Sequence, residues 1–244
     1  MRVGVLSSPT VFLLTLGMVG CKAAIEAPPP GPVAVVQALL IAGDSQQVAW
    51  VEWRVPADSS FGPEVRPVDP SLVQVSLVLP NGGSVPFTPS PGIPGRFQAG
   101  ASVVPGAHYR LSGAIEGVGL AAETTVPDTI AVRVPAQDTV DGGSCVATFL
   151  YCNLPYSWSA VGASAYFYFQ STNDTSQVRI FGSTHDPTGI LRLVQDTGTE
   201  RLTVLAVEEN AASFLIVTTP KSSVSGIFGL FGAATRVERW IVWP

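Results

Sequence analysis

Hydrophobic and polar positions alternate with a two-residue period through much of this chain. In QVAWVEWRV (47–55), Val48, Trp50 and Glu52 fall on one side and Ala49, Val51 and Trp53 on the other, the spacing of a strand with two distinct faces. LVQVSLVLP (72–80) places Val73, Val75, Leu77 and Leu79 on one face. VAVVQALLIAG (33–43), GRFQAG (95–100), AHYRLSGAIEG (107–117) and VGLAAETTVP (118–127) continue the pattern. Turn residues punctuate it at Gly43-Asp44-Ser45, Asn81-Gly82, Pro105-Gly106 and Gly117, and Asn-Gly is the strongest short hairpin signal. PADSSFGPEVRPVDPS (56–71) reads as a long proline-rich loop. Strands at intervals of about eight to twelve residues with such punctuation predict a sandwich. We expect an all-β chain, with an immunoglobulin-like β-sandwich over 34–135 followed by a second, mostly antiparallel β domain over 136–244.

The second region opens on the polar stretch AQDTVDGGS (136–144). LPYSWSAVGASAYFYFQST (154–172) then sets a tryptophan before a turn and an aromatic strand after it. This resembles the first hairpin of fibronectin type III-like modules, which implies core packing for the Trp and Tyr. QVRIFGS, GILRLVQD and RLTVLAVEE predict three further strands, with Thr197-Gly198 as a hairpin turn. NAASFLIVTTP (210–220) predicts one helical turn capped by Asn210, running into a strand. RVERWIVWP (236–244) predicts a closing strand with Val237, Arg239, Ile241 and Trp243 on one face.

Before it lies GIFGLFGAAT (226–235), ten residues without charge. Ten apolar residues do not cross a hydrocarbon core of ~30 Å. Gly226, Gly229 and Gly232 recur every third residue, yet no Gly-Lys-Ser/Thr follows to meet a phosphate. The remaining reading is structural: Phe228 and Phe231 bury, while the glycines allow positive φ or close backbone approach.

The first residues change the picture of where the chain resides. MRVGVLSSPTVFLLTLGMVGC has a basic start at Arg2, an apolar core from Val11 to Leu16, and small residues before a cysteine, the layout of a secretory signal. Met18-Val19-Gly20-Cys21 resembles a bacterial lipobox, which implies cleavage before Cys21 and a diacylglyceryl group on its thiol. KAAIEAPPPGPV (22–33) follows. Its proline run predicts a polyproline II tether. The expected plan is therefore a lipoprotein signal peptide at 1–20, a tether at 21–33 and the two β domains. Export leaves Cys145 and Cys152, six residues between them in SCVATFLYCN counted by neither end, as an even pair that predicts a disulfide.

Composition narrows the rest. Charged residues make up 13% of the 244, hydrophobic residues 46%, and there are 24 Gly and 21 Pro, a balance that favours strands and tight turns. A net charge of −5 argues against nucleic acid, which needs a basic footprint.

A second resemblance rests on SSVSGIFGLFGAAT (222–235). It is similar to the C-terminal signature of the DUF4249 lipoprotein family, in which a Gly-rich, Phe-containing segment precedes the final strand. Gly226, Gly229, Phe231, Gly232 and Ala233 match that signature. The order VVQALLIAG, VQVSLVLPNGG, PGRFQAG and PGAHYRLSGAIEGVGLAAETTVP agrees as well, so the likeness covers most of 34–135 and 205–243. Ser223 and Ser225 depart from the pattern, and the middle of the chain diverges. The resemblance implies a bacterial envelope location and a fold, and no reaction.

Candidate chemistry is thin. His108 and His185 with adjoining Asp186, and the pair Glu208-Glu209, are the titratable groups of interest. Adjacent acids in turns are usually solvated. Asp174 and Asp196 lie in stretches lacking the alternating ligands of a calcium loop, and Asn173-Asp174-Thr175 is a glycosylation sequon. Trp50, Trp53, Tyr166, Phe167, Tyr168, Phe169, Trp240 and Trp243 alternate across strands, as core between two layers or as an exposed platform for a glycan or protein. We expect no catalytic residues, no metal site and no cofactor. The expected role is a non-catalytic binding, adhesion or assembly module anchored by Cys21 in the bacterial outer membrane, with an envelope protein or glycan as partner. The alternatives are a carbohydrate-binding accessory of an outer-membrane uptake system and, third, a divergent hydrolase.

Overall fold

A computed structural model describes residues 33–55, 64–134, 145–146, 151–159, 162–171, 178–194, 199–216 and 221–242. The signal segment with Cys21, the proline tether before Val33, Asp174, Asp196, Thr197-Gly198 and Trp243 lie outside the described residues.

The strands follow in chain order. They are β1 (Val33–Ala42), β2 (Gln47–Val55), β3 (Glu64–Pro67), β4 (Val73–Val78), β5 (Ser84–Pro86), β6 (Thr88–Pro89), β7 (Arg96–Ala99), β8 (His108–Ile115), β9 (Val118–Thr125) and β10 (Ala131–Arg133). The second region adds β11 (Cys145–Val146), β12 (Tyr151–Ser159), β13 (Ala165–Ser171), β14 (Val178–Thr184), β15 (Thr188–Val194), β16 (Thr199–Val207), helix α1 (Glu209–Ile216) and β17 (Phe228–Val242). Residues 64–67, expected as loop, pair with β2 as an edge strand.

A nine-stranded sheet runs in the order β14-β13-β16-β17-β1-β2-β7-β6, with β3 beside β2. Two smaller sheets, β5-β4-β8-β9 and β10/β11-β12-β15, pack against the two halves of one of its faces. The fold is all-β. Strands β1, β2 and β7 facing β5-β4-β8-β9 make an immunoglobulin-like sandwich, and among the described residues the strands of the second half pair with one another antiparallel.

Each layer follows from the alternation. Val36, Ala38 and Leu40 of β1 and Ala49 and Val51 of β2 point inward to meet Val75, Leu77, Tyr109 and Leu111. The second core gathers Leu154, Tyr156, Trp158, Leu191 and Leu193 against Tyr166, Leu202, Val204 and Ile241. There Tyr156 stacks on Trp158 with ring centroids 3.9 Å apart, and Tyr166 tilts against Trp158 at 5.1 Å. Tyr166 is thus core and no platform. Cys145 and Cys152 are opposite partners across β11 and β12, and Cys152 is fully buried and disulfide-bonded.

The glycine-phenylalanine segment joins the halves. It is not a separate element before the last strand: β17 begins at Phe228 and runs through it to Val242. Val35–Ala42 of β1 pair with 228–235 in parallel, and 199–207 of β16 pair antiparallel with 234–242. Phe231 and Ala233 enter the first core and Ile241 the second. Gly226 has φ +85°, and a Cβ there would overlap the Gly119 carbonyl. A Cβ on Gly229 would overlap the Val36 carbonyl oxygen. Glycine is required at both positions for close backbone approach. The described residues from Val33 to Val242 accordingly belong to one compact unit.

Candidate functional site

The other face of the nine-stranded sheet carries α1. Ala211 and Ala212 favour helix and pack on Leu230 and Ala234 of β17 and on Val207. The cap is Glu208 and not Asn210. Its Oε2 accepts the Asn210 N–H at 2.7 Å and its Oε1 the Ala211 N–H at 2.8 Å, so the carboxylate satisfies two of the helix's orphan donors. The Glu208 N–H donates to the Ala233 carbonyl at 3.1 Å, fixing the helix start to β17. Gly232 makes room, since a Cβ there would come within 2.6 Å of Glu208 Oε1 and 2.8 Å of the Ala211 methyl.

Around this helix start lies a cleft of about 640 Å³. One wall is the end of β8-β9 and the segment after it. Leu120, Ala122 and Thr124 point inward, whereas Glu123 and Thr125 point out. The path continues through buried Val126 and Pro127 to exposed Asp128. The Pro127 carbonyl accepts the Thr235 hydroxyl at 2.5 Å, fastening this segment to β17. The opposite wall is the turn Gly162–Ser164, and the floor is Glu208–Asn210. Asn210 reaches across with Nδ2 to the Glu123 carbonyl at 3.0 Å.

The structure therefore gathers three of the sequence candidates. His108, Glu208 and Glu209 line the cleft together. His108 stands exposed, with Nδ1 3.3 Å from the Thr125 hydroxyl and Nε2 3.6 Å from a Glu123 carboxylate oxygen. His185 does not line the cleft; it is exposed, with its Nδ1 2.7 Å from the carbonyl of Ser164. The Asp186 N–H donates to the Thr184 hydroxyl, which shapes the turn. Sequence reasoning missed Thr124, Asp128 and Gly106, because nothing local distinguishes them from ordinary strand and turn residues.

Glu208 has the most perturbed environment in the cleft. Burial pushes its carboxyl above the ordinary value of 4.5, against the lowering effect of N–H donors from Asn210, Ala211 and Ala233. The Thr124 hydroxyl lies beside it without closing a hydrogen bond of good geometry. A raised folded value means the native state holds this proton more tightly than the unfolded chain does. Its stabilising contribution is full below 4.5 and is lost as pH rises through the raised value. We predict that Glu208→Gln removes this slope: the difference in denaturant midpoint between wild type and variant changes across that window. Midpoints that run parallel from pH 4 to 8 would show Glu208 is not the group responsible.

Among the described residues, no three His, Cys, Asp or Glu side chains converge closely enough to hold a metal ion, and no helix is long and apolar enough to cross a membrane. The aromatic residues divide. Phe167 packs under α1, Tyr168 is half-buried against the second core and Trp53 against the first. Trp240 is 56% exposed, opposite Arg201 in the register, and Arg201 pairs with Glu238 at 3.7 Å.

No protein-family model matches the chain, and no curated protein matches it. Among solved structures it is similar to the fibronectin(III)-like modules of Clostridium thermocellum CbhA, with 13% identity and a TM-score of 0.24 over 87% of this chain and 92% of that one. It is also similar to a chain of a cytokine receptor complex, with 11% identity and a TM-score of 0.27 over 83% and 94%. Likenesses this distant say nothing about what the cleft does.

Proposed function

We propose that the chain is an exported lipoprotein of the bacterial outer membrane, held to the bilayer by a lipid on Cys21, with its sheet-built body serving as a non-catalytic binding or assembly module. The observation that carries this is the run from Arg2 through Met18-Val19-Gly20-Cys21, followed by a proline-rich stretch that ends where β1 opens at Val33. A diacylglyceryl group supplies two chains, and two are what durable anchoring requires. The geometry of the cleft supports the binding half. Glu208 is engaged as a helix cap, His108 leans on Glu123 and Thr125, and His185 on a backbone carbonyl. These bonds build and hold a recess. Expressed in a bacterium with its signal intact, the wild type is expected in the membrane fraction and Cys21→Ala in the soluble one. A Cys21→Ala protein that fractionates with membranes after signal cleavage would refute lipid anchoring.

A further inference from the structure

We propose that the end of the first sandwich where β1 opens is a membrane-contact surface, resting on the bilayer through Leu72 and Val118 with the cleft turned away from the lipid. This rests on reading Cys21 as the lipid anchor. Val33 begins β1 twelve positions after Cys21, and a chain of that length spans at most ~40 Å when fully extended. The Val33 end of the body is therefore held within reach of the bilayer. Phe228 stands opposite Val35 at that end. Trp240 lies twelve residues further along β17, ~40 Å at the usual rise of a strand. The far end meets lipid only if the body lies on its side.

The register identifies what the near end presents. Trp53 is opposite Ala34, and Ser225, just before β17, bridges to Ala121 of β9. β9 opens at this end with Val118, in one row with Ile115 of β8 and Val73 of β4. In the turn between β8 and β9 the Glu116 N–H donates to the Leu72 carbonyl at 2.9 Å. Val118 has the inward parity of Leu120 and Ala122, yet it is 50% exposed, and Leu72 is 42% exposed. Two large apolar side chains thus stand bare at the end nearest the anchor, with Trp53 and Ile227 half-buried at the same end. Exposed charges there have both signs, Lys221 and Arg66 against Glu116 and Asp69, so the contact is apolar rather than electrostatic. Two such side chains would not hold a free protein to a bilayer. Behind an anchor the second contact is intramolecular, at an effective concentration on the order of millimolar for a short linker, and a small apolar gain suffices. The cleft lies at the other end of the same strands, where His108 pairs with Thr125. That is ~20 Å along β9 from Val118. Val104 is at that end too, next to the Val103 carbonyl that accepts the Gly43 N–H.

The test is quenching of site-placed fluorophores by spin-labelled lipid headgroups. The full-length, membrane-extracted protein is reconstituted into vesicles of phosphatidylethanolamine and phosphatidylglycerol and isolated by flotation. Leu72→Cys, Val118→Cys and Glu116→Cys carry bimane at the near end, so the reading does not depend on one variant folding. Val104→Cys carries it at the cleft end and Trp240→Cys on the second sandwich, at positions as exposed as the first set. Labelling without reductant leaves the bond at Cys152 intact. Quenching at 72, 116 and 118 is expected to exceed that at 104 and 240 by at least about twofold, and to be unchanged by added salt, as an apolar contact requires. Equal quenching at all five positions, stronger quenching at 104 or 240, or a difference abolished by salt would overturn the proposed contact. Vesicles that float without the protein would overturn the anchoring, and this orientation with it, whereas protein that floats with evenly quenched probes would overturn the orientation alone.

Discussion

Replacing Phe231 with alanine is expected to destabilise the protein by about 3–5 kcal/mol, the usual range for removing a large buried aromatic. Phe231 comes from the last strand in the chain, yet it is fully buried in the core of the first sandwich. Its neighbours there, Val36, Ala38 and Leu40, sit in β1 at the other end of the sequence, with Ala38 directly opposite it in the register. A domain typically has about 5–15 kcal/mol in total, so the variant should retain little. Guanidinium unfolding followed by fluorescence checks it. A midpoint close to wild type would mean the parallel pairing of β1 and β17 is not part of the folded protein.

A larger effect is expected from ending the chain at Ser225. That deletion removes β17 from the middle of the nine-stranded sheet and exposes β1 along 35–42 and β16 along 199–207. Two internal strands would become long apolar edges, the arrangement that invites aggregation. Both cores would be opened at once, through Phe231 and Ala233 in one and Ile241 in the other. The truncated protein should show no cooperative transition, no near-ultraviolet dichroism and rapid proteolysis across the first sandwich as well as the second. A first sandwich that stays protease-resistant without β17 would contradict the topology described here.

Much of the fold was legible in the amino-acid sequence, for a definite reason. Strands β2, β4, β8 and β9 have one face in a core and one toward solvent, so their sequences alternate, and the turns at Asn81-Gly82 and Gly117 separate them. The start of β17 was hidden because both of its faces are covered. Phe231 and Ala233 point into the sandwich, and Leu230 and Ala234 lie under α1. A strand covered on both sides carries no polar alternation, and its glycines read as breakers although they stand where backbone or helix comes close. Parallel pairing across nearly the whole chain leaves no local mark at all. The helix cap was misplaced by two residues, because Asn210 looks like a better cap than Glu208 until Ala233 and Gly232 are brought beside it. The cleft was illegible in the same way: His108, Thr124 and Asp128 meet Glu208 only after the sheets close.

The most direct measurement is the intact mass of the mature protein extracted from membranes of a lipoprotein-processing bacterium. The expected mass is that of a chain starting at Cys21 with a diacylglyceryl adduct on that residue. A mass matching an unmodified chain, whether cut near Gly20 or retaining Arg2, would contradict the anchored module proposed here.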